Sequence, residues 1–96
     1  MPVGNWVIKG TEIVSSASLE FPFDDCGFLY GYGLFETVRI LNKTPLLLGS
    51  HLGRLQRTSI VMDLIIDTDI DQLIGLVNNL IKKNAIENGV LNLYLT

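Results

Sequence analysis

The sequence predicts an α+β domain, a two-layer sandwich in which a mostly antiparallel sheet carries two helices on one face. Alternation of apolar and polar residues, typical of strands, occurs early in the chain and again at its end. Two stretches with apolar residues at helical spacing lie between these strands. The 96 residues are 48% hydrophobic and 18% charged. This is enough for one core, so we expect a single domain over residues 1–96.

The chain before the first long strand predicts a hairpin and an irregular segment. Residues 5–14 place β-branched and aromatic residues on both sides of Lys9-Gly10, which predicts two short strands and a tight turn. Residues 15–25 have no period and contain a proline, so we expect a loop along one edge of the sheet. Residues 27–33 combine three glycines with three aromatic residues, a composition that permits close backbone approach beside aromatic walls.

A second hairpin is predicted at the centre of the fold. Residues 35–41 form its first strand, Asn42-Lys43 its turn, and residues 45–48 its return. Since side chains alternate along a strand, residues 35–41 present two different faces. One face carries Phe35, Thr37 and Arg39. The opposite face carries Glu36, Val38 and Ile40.

The remaining elements are two helices and a strand. Ser50 is a suitable N-cap for a helix over residues 51–63. Its inward stripe is Leu52, Leu55, Ser59 and Met62, and a neighbouring face carries His51, Arg54 and Thr58. A capping-box variant of Thr68 and Asp71 begins the second helix, whose apolar residues are Ile70, Leu73, Ile74, Val77, Leu80 and Ile81. Residues 90–96 then alternate as a strand.

Composition and motifs exclude several classes of function. The net charge is −3 and the seven Lys and Arg residues are scattered, which argues against nucleic-acid binding. No apolar run reaches membrane-spanning length and no signal segment is present, so we expect a cytoplasmic protein without a membrane partner. Cys26 is the only cysteine, which fits a reducing cytosol and leaves no metal-binding cluster. The sequence also lacks dinucleotide, P-loop and catalytic-triad motifs.

Four residues are candidates for ligand binding, each with an ordinary structural alternative. Arg54, one turn into a helix, could direct its guanidinium at a phosphate, or could be a solvated surface arginine. Arg39 either snorkels at a sheet edge or anchors an anion in a cavity. Tyr30 and Tyr32 could orient a ligand through their hydroxyls or fill the core.

The string PFDDCGFLYGYGLFETVR at residues 22–39, followed by HLGRL at residues 51–55, resembles the class IV aminotransferase family. These are two-domain pyridoxal-phosphate enzymes and include branched-chain and D-amino-acid aminotransferases and 4-amino-4-deoxychorismate lyases. The resemblance implies that Arg54 binds the cofactor phosphate, and that Tyr32, Phe35 and Arg39 contact an amino- or keto-acid substrate. It also implies a homodimer.

Within that family the segment around Phe35 is most similar to aminodeoxychorismate lyase, which forms pyruvate and p-aminobenzoate for folate synthesis. Phe35 stands where the D-amino-acid enzymes have tyrosine, which argues against D-specific transamination. Branched-chain aminotransferase, or a non-catalytic α+β binding or dimerisation module, remains the alternative. The resemblance implies that the Schiff-base lysine comes from a C-terminal domain missing here, so no catalytic residue is expected in this chain, which alone should be inactive.

Overall fold

The computed structural model describes residues 4–96. In chain order its elements are strand β1 (Trp6–Lys9), strand β2 (Glu12–Ser15), helix α1 (Cys26–Tyr30), strand β3 (Leu34–Leu41), strand β4 (Thr44–Pro45), helix α2 (Leu48–Val61), helix α3 (Ile70–Lys83) and strand β5 (Gly89–Leu95). A single 3-10 turn, Ser16–Ser18, follows β2. The predicted α+β class is therefore confirmed.

The central sheet has three antiparallel strands in the order β4-β3-β5. β3 pairs with β5 along almost its whole length, from Leu34 opposite Leu95 to Ile40 opposite Gly89. β4 pairs only with the end of β3. Both residues of the β3–β4 turn, Asn42 and Lys43, have positive φ, as a tight two-residue hairpin requires, so the predicted turn is confirmed.

The core lies between this sheet and the two long helices. It consists of Val38 and Ile40 from β3, Leu48 and Leu52 from α2, and Val77 and Ile81 from α3. Because Val38 and Ile40 share one face of β3, both helices cover that face, as predicted. The other face of the sheet has no layer over it within residues 4–96, and its β3 side chains Phe35, Thr37 and Arg39 are exposed.

The N-terminal hairpin forms a separate two-stranded sheet instead of extending the central one. Its turn lies at Gly10-Thr11, one residue later than Lys9-Gly10, because Gly10 takes the positive φ. The side chain of Asn84, after α3, holds this hairpin: it accepts from the Trp6 N–H (3.0 Å) and donates to the Trp6 carbonyl (2.9 Å). The Lys83 ammonium lies 4.0 Å from the centre of the Trp6 ring.

Two predicted helix starts were wrong. α2 begins at Leu48, not after Ser50, and Leu47 precedes it in a left-handed conformation without a side-chain cap. Leu48 is buried in the core, and this burial offsets the cost of an uncapped helix start. Leu48 therefore belongs to α2, not to the predicted returning strand. α3 contains all the predicted apolar residues. Asp69 stands at its N-cap position, but the Asp69 side chain makes no hydrogen bond to the helix N–H groups. The Thr68–Asp71 capping box is therefore not formed.

The segment before β3 contains a short helix, α1, that the sequence did not predict. The Asp25 carboxylate caps it by accepting from the Gly27 and Phe28 N–H groups, at 3.0 and 3.1 Å. Gly31 ends it with φ +67°. A Cβ at Gly33 would lie 2.9 Å from the Leu95 carbonyl oxygen, so this glycine allows the close backbone approach that the sequence indicated.

No helix within residues 4–96 is long and apolar enough to cross a membrane.

Candidate active-site residues on two faces of one strand

Glu36 is a charged residue in the apolar inner face of β3. Its neighbours on that face are Val38 and Ile40, and it is itself only 7% exposed. An isolated carboxylate in such a place would be strongly destabilising, because burial removes its hydration. Glu36 must therefore be paired, and the structure shows its partners on α2.

Arg54 and His51 both contact the Glu36 carboxylate. Arg54 Nε donates to Glu36 Oε1 at 2.5 Å and Arg54 Nη2 donates to Oε2 at 2.6 Å, a two-point ion pair. His51 Nδ1 lies 3.0 Å from the same Oε2. The two α2 residues are three positions apart and so project from one face of the helix. α2 packs on β3, which brings that helix face over Glu36.

The ion pair keeps Glu36 ionised. Hydrogen bonds from Arg54, and then from His51, lower the pKa of Glu36 from 4.5 to about 2. The same contact raises the pKa of Arg54. At neutral pH the site therefore contains a carboxylate and a guanidinium, and their charges compensate each other.

Arg54 is partly buried against Glu36 and otherwise open to solvent. Its side chain is 63% exposed, compared with 8% for Glu36. Arg54 is therefore a surface arginine whose guanidinium is fixed by a buried carboxylate. Such an arginine can bind a phosphate or carboxylate from outside the domain.

The opposite face of the sheet is exposed and aromatic; we call it the outer sheet face, formed by Phe35, Thr37, Arg39, Asn92 and Tyr94. Phe35 and Tyr94 are directly opposite each other on β3 and β5 and are 72% and 76% exposed. The Thr37 hydroxyl donates to Asn92 Oδ1 at 3.1 Å. The predicted division of β3 into two faces is confirmed.

The structure does not gather the four residues that the resemblance assigns to cofactor and substrate, Tyr32, Phe35, Arg39 and Arg54, in one pocket of this domain. Phe35 and Arg39 lie on the outer sheet face, whereas Arg54 lies on the helix side of β3. The Tyr32 hydroxyl donates to the Met62 carbonyl at 2.6 Å, which attaches the loop before β3 to the end of α2. A pocket of about 270 Å³ between Gln56 and Ile66 contains none of the four.

Glu36 and His51 are the residues that sequence reasoning did not assign to the site. A signal existed for Glu36, because a carboxylate in an otherwise apolar strand face requires a cationic partner. His51 and Arg54 at helical spacing offered such partners. Only the packing of α2 on β3 shows that they reach it.

Residues 33–96 match the model of amino-transferase class IV. The match covers the central sheet, both long helices, and Glu36, His51 and Arg54. The chain belongs to this family. The class IV match confirms the resemblance seen in the sequence, and enzymes of this family use pyridoxal phosphate and act on small molecules.

The chain is similar to two kinds of curated relative. It is 40% identical over 84 residues to aminodeoxychorismate lyase of Bacillus subtilis, covering 85% of this chain and 28% of that protein. It is 28% identical over 85 residues to D-alanine aminotransferase of Staphylococcus aureus, covering 88% and 30%. The chain therefore spans less than a third of the length of the curated relatives that it matches.

A solved structure shows the same fold. Branched-chain amino acid aminotransferase of Escherichia coli superposes with a TM-score of 0.81 at 20% identity, covering 88% of this chain and 29% of that one. At this identity the likeness concerns architecture alone. It confirms the α+β fold as that of class IV aminotransferases.

Proposed function

We propose that residues 1–96 are the N-terminal domain of a pyridoxal-phosphate enzyme and that the complete enzyme is an aminodeoxychorismate lyase. The reaction would release pyruvate and p-aminobenzoate, as the sequence resemblance implies. The 40% identity to the Bacillus subtilis lyase supports this choice over the D-alanine aminotransferases, which are 27–28% identical.

The observation that carries the proposal is the guanidinium of Arg54, anchored on one edge and exposed on the other. A cofactor phosphate needs fixed hydrogen-bond donors at its rim. The guanidinium of Arg54, held by Glu36, offers such donors, so the residues present fit the group. When bound, pyridoxal phosphate would supply an electron-accepting ring for bond cleavage. This chain would supply a phosphate ligand.

The outer sheet face would supply the substrate contacts. On this face the cation of Arg39 and the aromatic side chain of Phe35 lie on either side of Thr37, whose hydroxyl donates to Asn92. Such a combination can bind a carboxylate and an adjoining apolar or ring group. Tyr32 would act by fixing the loop before β3, since its hydroxyl proton is already donated to Met62. Its oxygen can still accept a hydrogen bond.

The amine that bonds covalently to the cofactor would come from a C-terminal domain. The four lysines of the chain are at the end of β1, in the β3–β4 turn and at the end of α3: Lys9, Lys43, Lys82 and Lys83. Lys83 already covers the Trp6 ring. None belongs to the Arg54 cluster or the outer sheet face. The whole enzyme would be a cytoplasmic homodimer.

Branched-chain aminotransferase is the second candidate, because the motifs at residues 22–39 and 51–55 also resemble that enzyme and its fold is the same. The two activities differ in what they need from a substrate pair. A lyase releases pyruvate from aminodeoxychorismate without an amino acceptor, whereas the transaminase requires a keto acid. A binding or dimerisation module would do neither and would not bind the cofactor.

The test begins with the reading frame beyond the codon for Thr96, which should encode a domain with a lysine on a strand. Both domains are then produced together and dialysed to measure cofactor retention. We expect Arg54→Ala to lower retention and Arg57→Ala, on the same helix, to leave it unchanged. Retention unaffected by Arg54→Ala would contradict the phosphate assignment. Pyruvate release with and without a keto acid separates the two activities.

A further inference from the structure

The inner face of β3 contains a carboxylate that stability alone does not explain. A buried ion pair recovers little more than its own desolvation cost, and an apolar side chain of similar size would serve the core equally well. Glu36 nevertheless occupies the same strand face as the core residues Val38 and Ile40. Its presence is better explained by what it does to Arg54.

In the Glu36–Arg54 ion pair, one edge of the guanidinium donates to the carboxylate and the other edge is left free. Of the five N–H donors of an arginine side chain, Glu36 takes the one on Nε and one on Nη2. Both protons of Nη1 and the second proton of Nη2 remain. One proton of each Nη lies along the outer edge, which can bind two oxygens of a phosphate or carboxylate, as the Nε–Nη2 edge binds Glu36.

His51 restrains the carboxylate from a second direction. Its Nδ1 lies 3.0 Å from Oε2, the oxygen that also accepts from Arg54 Nη2. His51 is more buried than Arg54, with side-chain exposures of 21% and 63%. The carboxylate thus has a fixed orientation, and the flexible arginine takes its orientation from it.

We propose that Glu36, held by His51, is a positioning residue that aims the free edge of Arg54 at an anion outside the domain. The inference rests on the proposed function, in which that anion is the cofactor phosphate. Glu36 neutralises Arg54, so it cannot strengthen phosphate binding by charge. Its contribution is the pre-organisation of a long side chain that would otherwise lose rotational freedom on binding.

This gives opposite expectations for Glu36→Gln. If Glu36 only neutralised charge, glutamine would free the positive charge of Arg54 and cofactor would bind more tightly. If Glu36 positions Arg54, glutamine keeps the shape but loses one acceptor for the guanidinium, and affinity falls. We expect a loss of about tenfold, as on removal of partners that orient metal ligands.

The experiment measures the dissociation constant of pyridoxal phosphate for the two-domain protein, by cofactor absorbance, in a double-mutant cycle. Glu36→Gln should weaken binding when Arg54 is present and have no further effect with Arg54→Ala. His51→Phe should weaken binding severalfold, and His51→Asn, which can keep a donor near Nδ1, should do so less. Unchanged or tighter binding by Glu36→Gln would overturn the proposal.

A second readout needs no cofactor. In the 15N spectrum of the protein without cofactor, the Arg54 Nε–H should give a separate, exchange-protected signal that Glu36→Gln moves towards the position of free arginines. An unmoved signal also overturns the proposal. If Arg54→Ala has no effect on cofactor binding, the proposed function fails. If Arg54→Ala weakens cofactor binding but Glu36→Gln does not, the positioning role of Glu36 is wrong and the proposed function stands.

Discussion

The two faces of β3 differ in how far their side chains are covered within residues 4–96. On the inner face the charge of Glu36 is satisfied by Arg54 and His51, and the apolar side chains are buried. On the outer sheet face the aromatic rings of Phe35 and Tyr94 remain mostly exposed. The difference shows that one strand serves two purposes: the inner face builds the domain, and the outer face is available for binding.

The largest loss of stability should come from a substitution on the inner face of β3. Ile40 is 2% exposed, and Ile40→Ala leaves a cavity between β3 and the helices. We expect a loss of about 2–5 kcal/mol in the free energy of unfolding. Urea denaturation measures it, with Thr37→Ala on the outer sheet face as the matched control. A loss below that of Thr37→Ala would contradict the packing described.

The second-largest loss of stability should occur in acid, when Glu36 on the inner face becomes protonated. The pKa of Glu36 is lowered from 4.5 to about 2 on folding, so its ion pair stabilises the fold fully above the unfolded-state pKa. That stabilisation is lost as pH falls from about 4.5 to about 2. Urea midpoints between pH 6 and pH 2 should fall less for Glu36→Gln than for the native chain. Parallel profiles would show that Glu36 is not the group responsible.

A smaller effect is expected where the loop before β3 joins the helix layer. Tyr32→Phe removes the hydroxyl that donates to the Met62 carbonyl. The loss should be about 0.5–1.5 kcal/mol in unfolding free energy, the usual net value of one hydrogen bond. Tyr30→Phe is the control, because Tyr30 is 79% exposed. Equal effects of the two substitutions would indicate that the Tyr32 contact does not persist in solution.

The smallest effect on stability should come from the outer sheet face. Phe35→Ala should change the unfolding free energy by about 0.2–1 kcal/mol, the range for a cross-strand pair. In the proposed enzyme the same substitution should reduce substrate turnover far more than stability. Comparing thermal midpoints with pyruvate release tests this contrast. A large loss of stability with normal turnover would place Phe35 in the core of the protein instead.

Local patterns were sufficient to predict some of these features. The alternation of residues 35–41 predicted both faces of β3, and the apolar spacing from Ile70 to Ile81 predicted that α3 exists and which of its residues are apolar. In both cases the residues that share one face are only a few positions apart, two in a strand and three or four in a helix, so a local pattern contains the information. The Asn42-Lys43 turn was likewise local.

Features that depend on distant residues could not be predicted in this way. α1 is only five residues long, and its cap Asp25 also accepts a hydrogen bond from the Thr96 hydroxyl, 71 positions away. α2 begins at Leu48 because that side chain enters the core, although Ser50 is the better cap by residue type. The reach of Arg54 to Glu36 depends on how α2 sits on β3.

The pairing of β3 with β5 also constrains how the domain can fold during synthesis. Leu34 meets Leu95 and Ile40 meets Gly89, so the central strand gains its long partner only after almost fifty intervening residues have been made. High contact order of this kind slows folding, since a large loop must close first. The central strand therefore lacks its longest strand partner until residues 89–95 have been made.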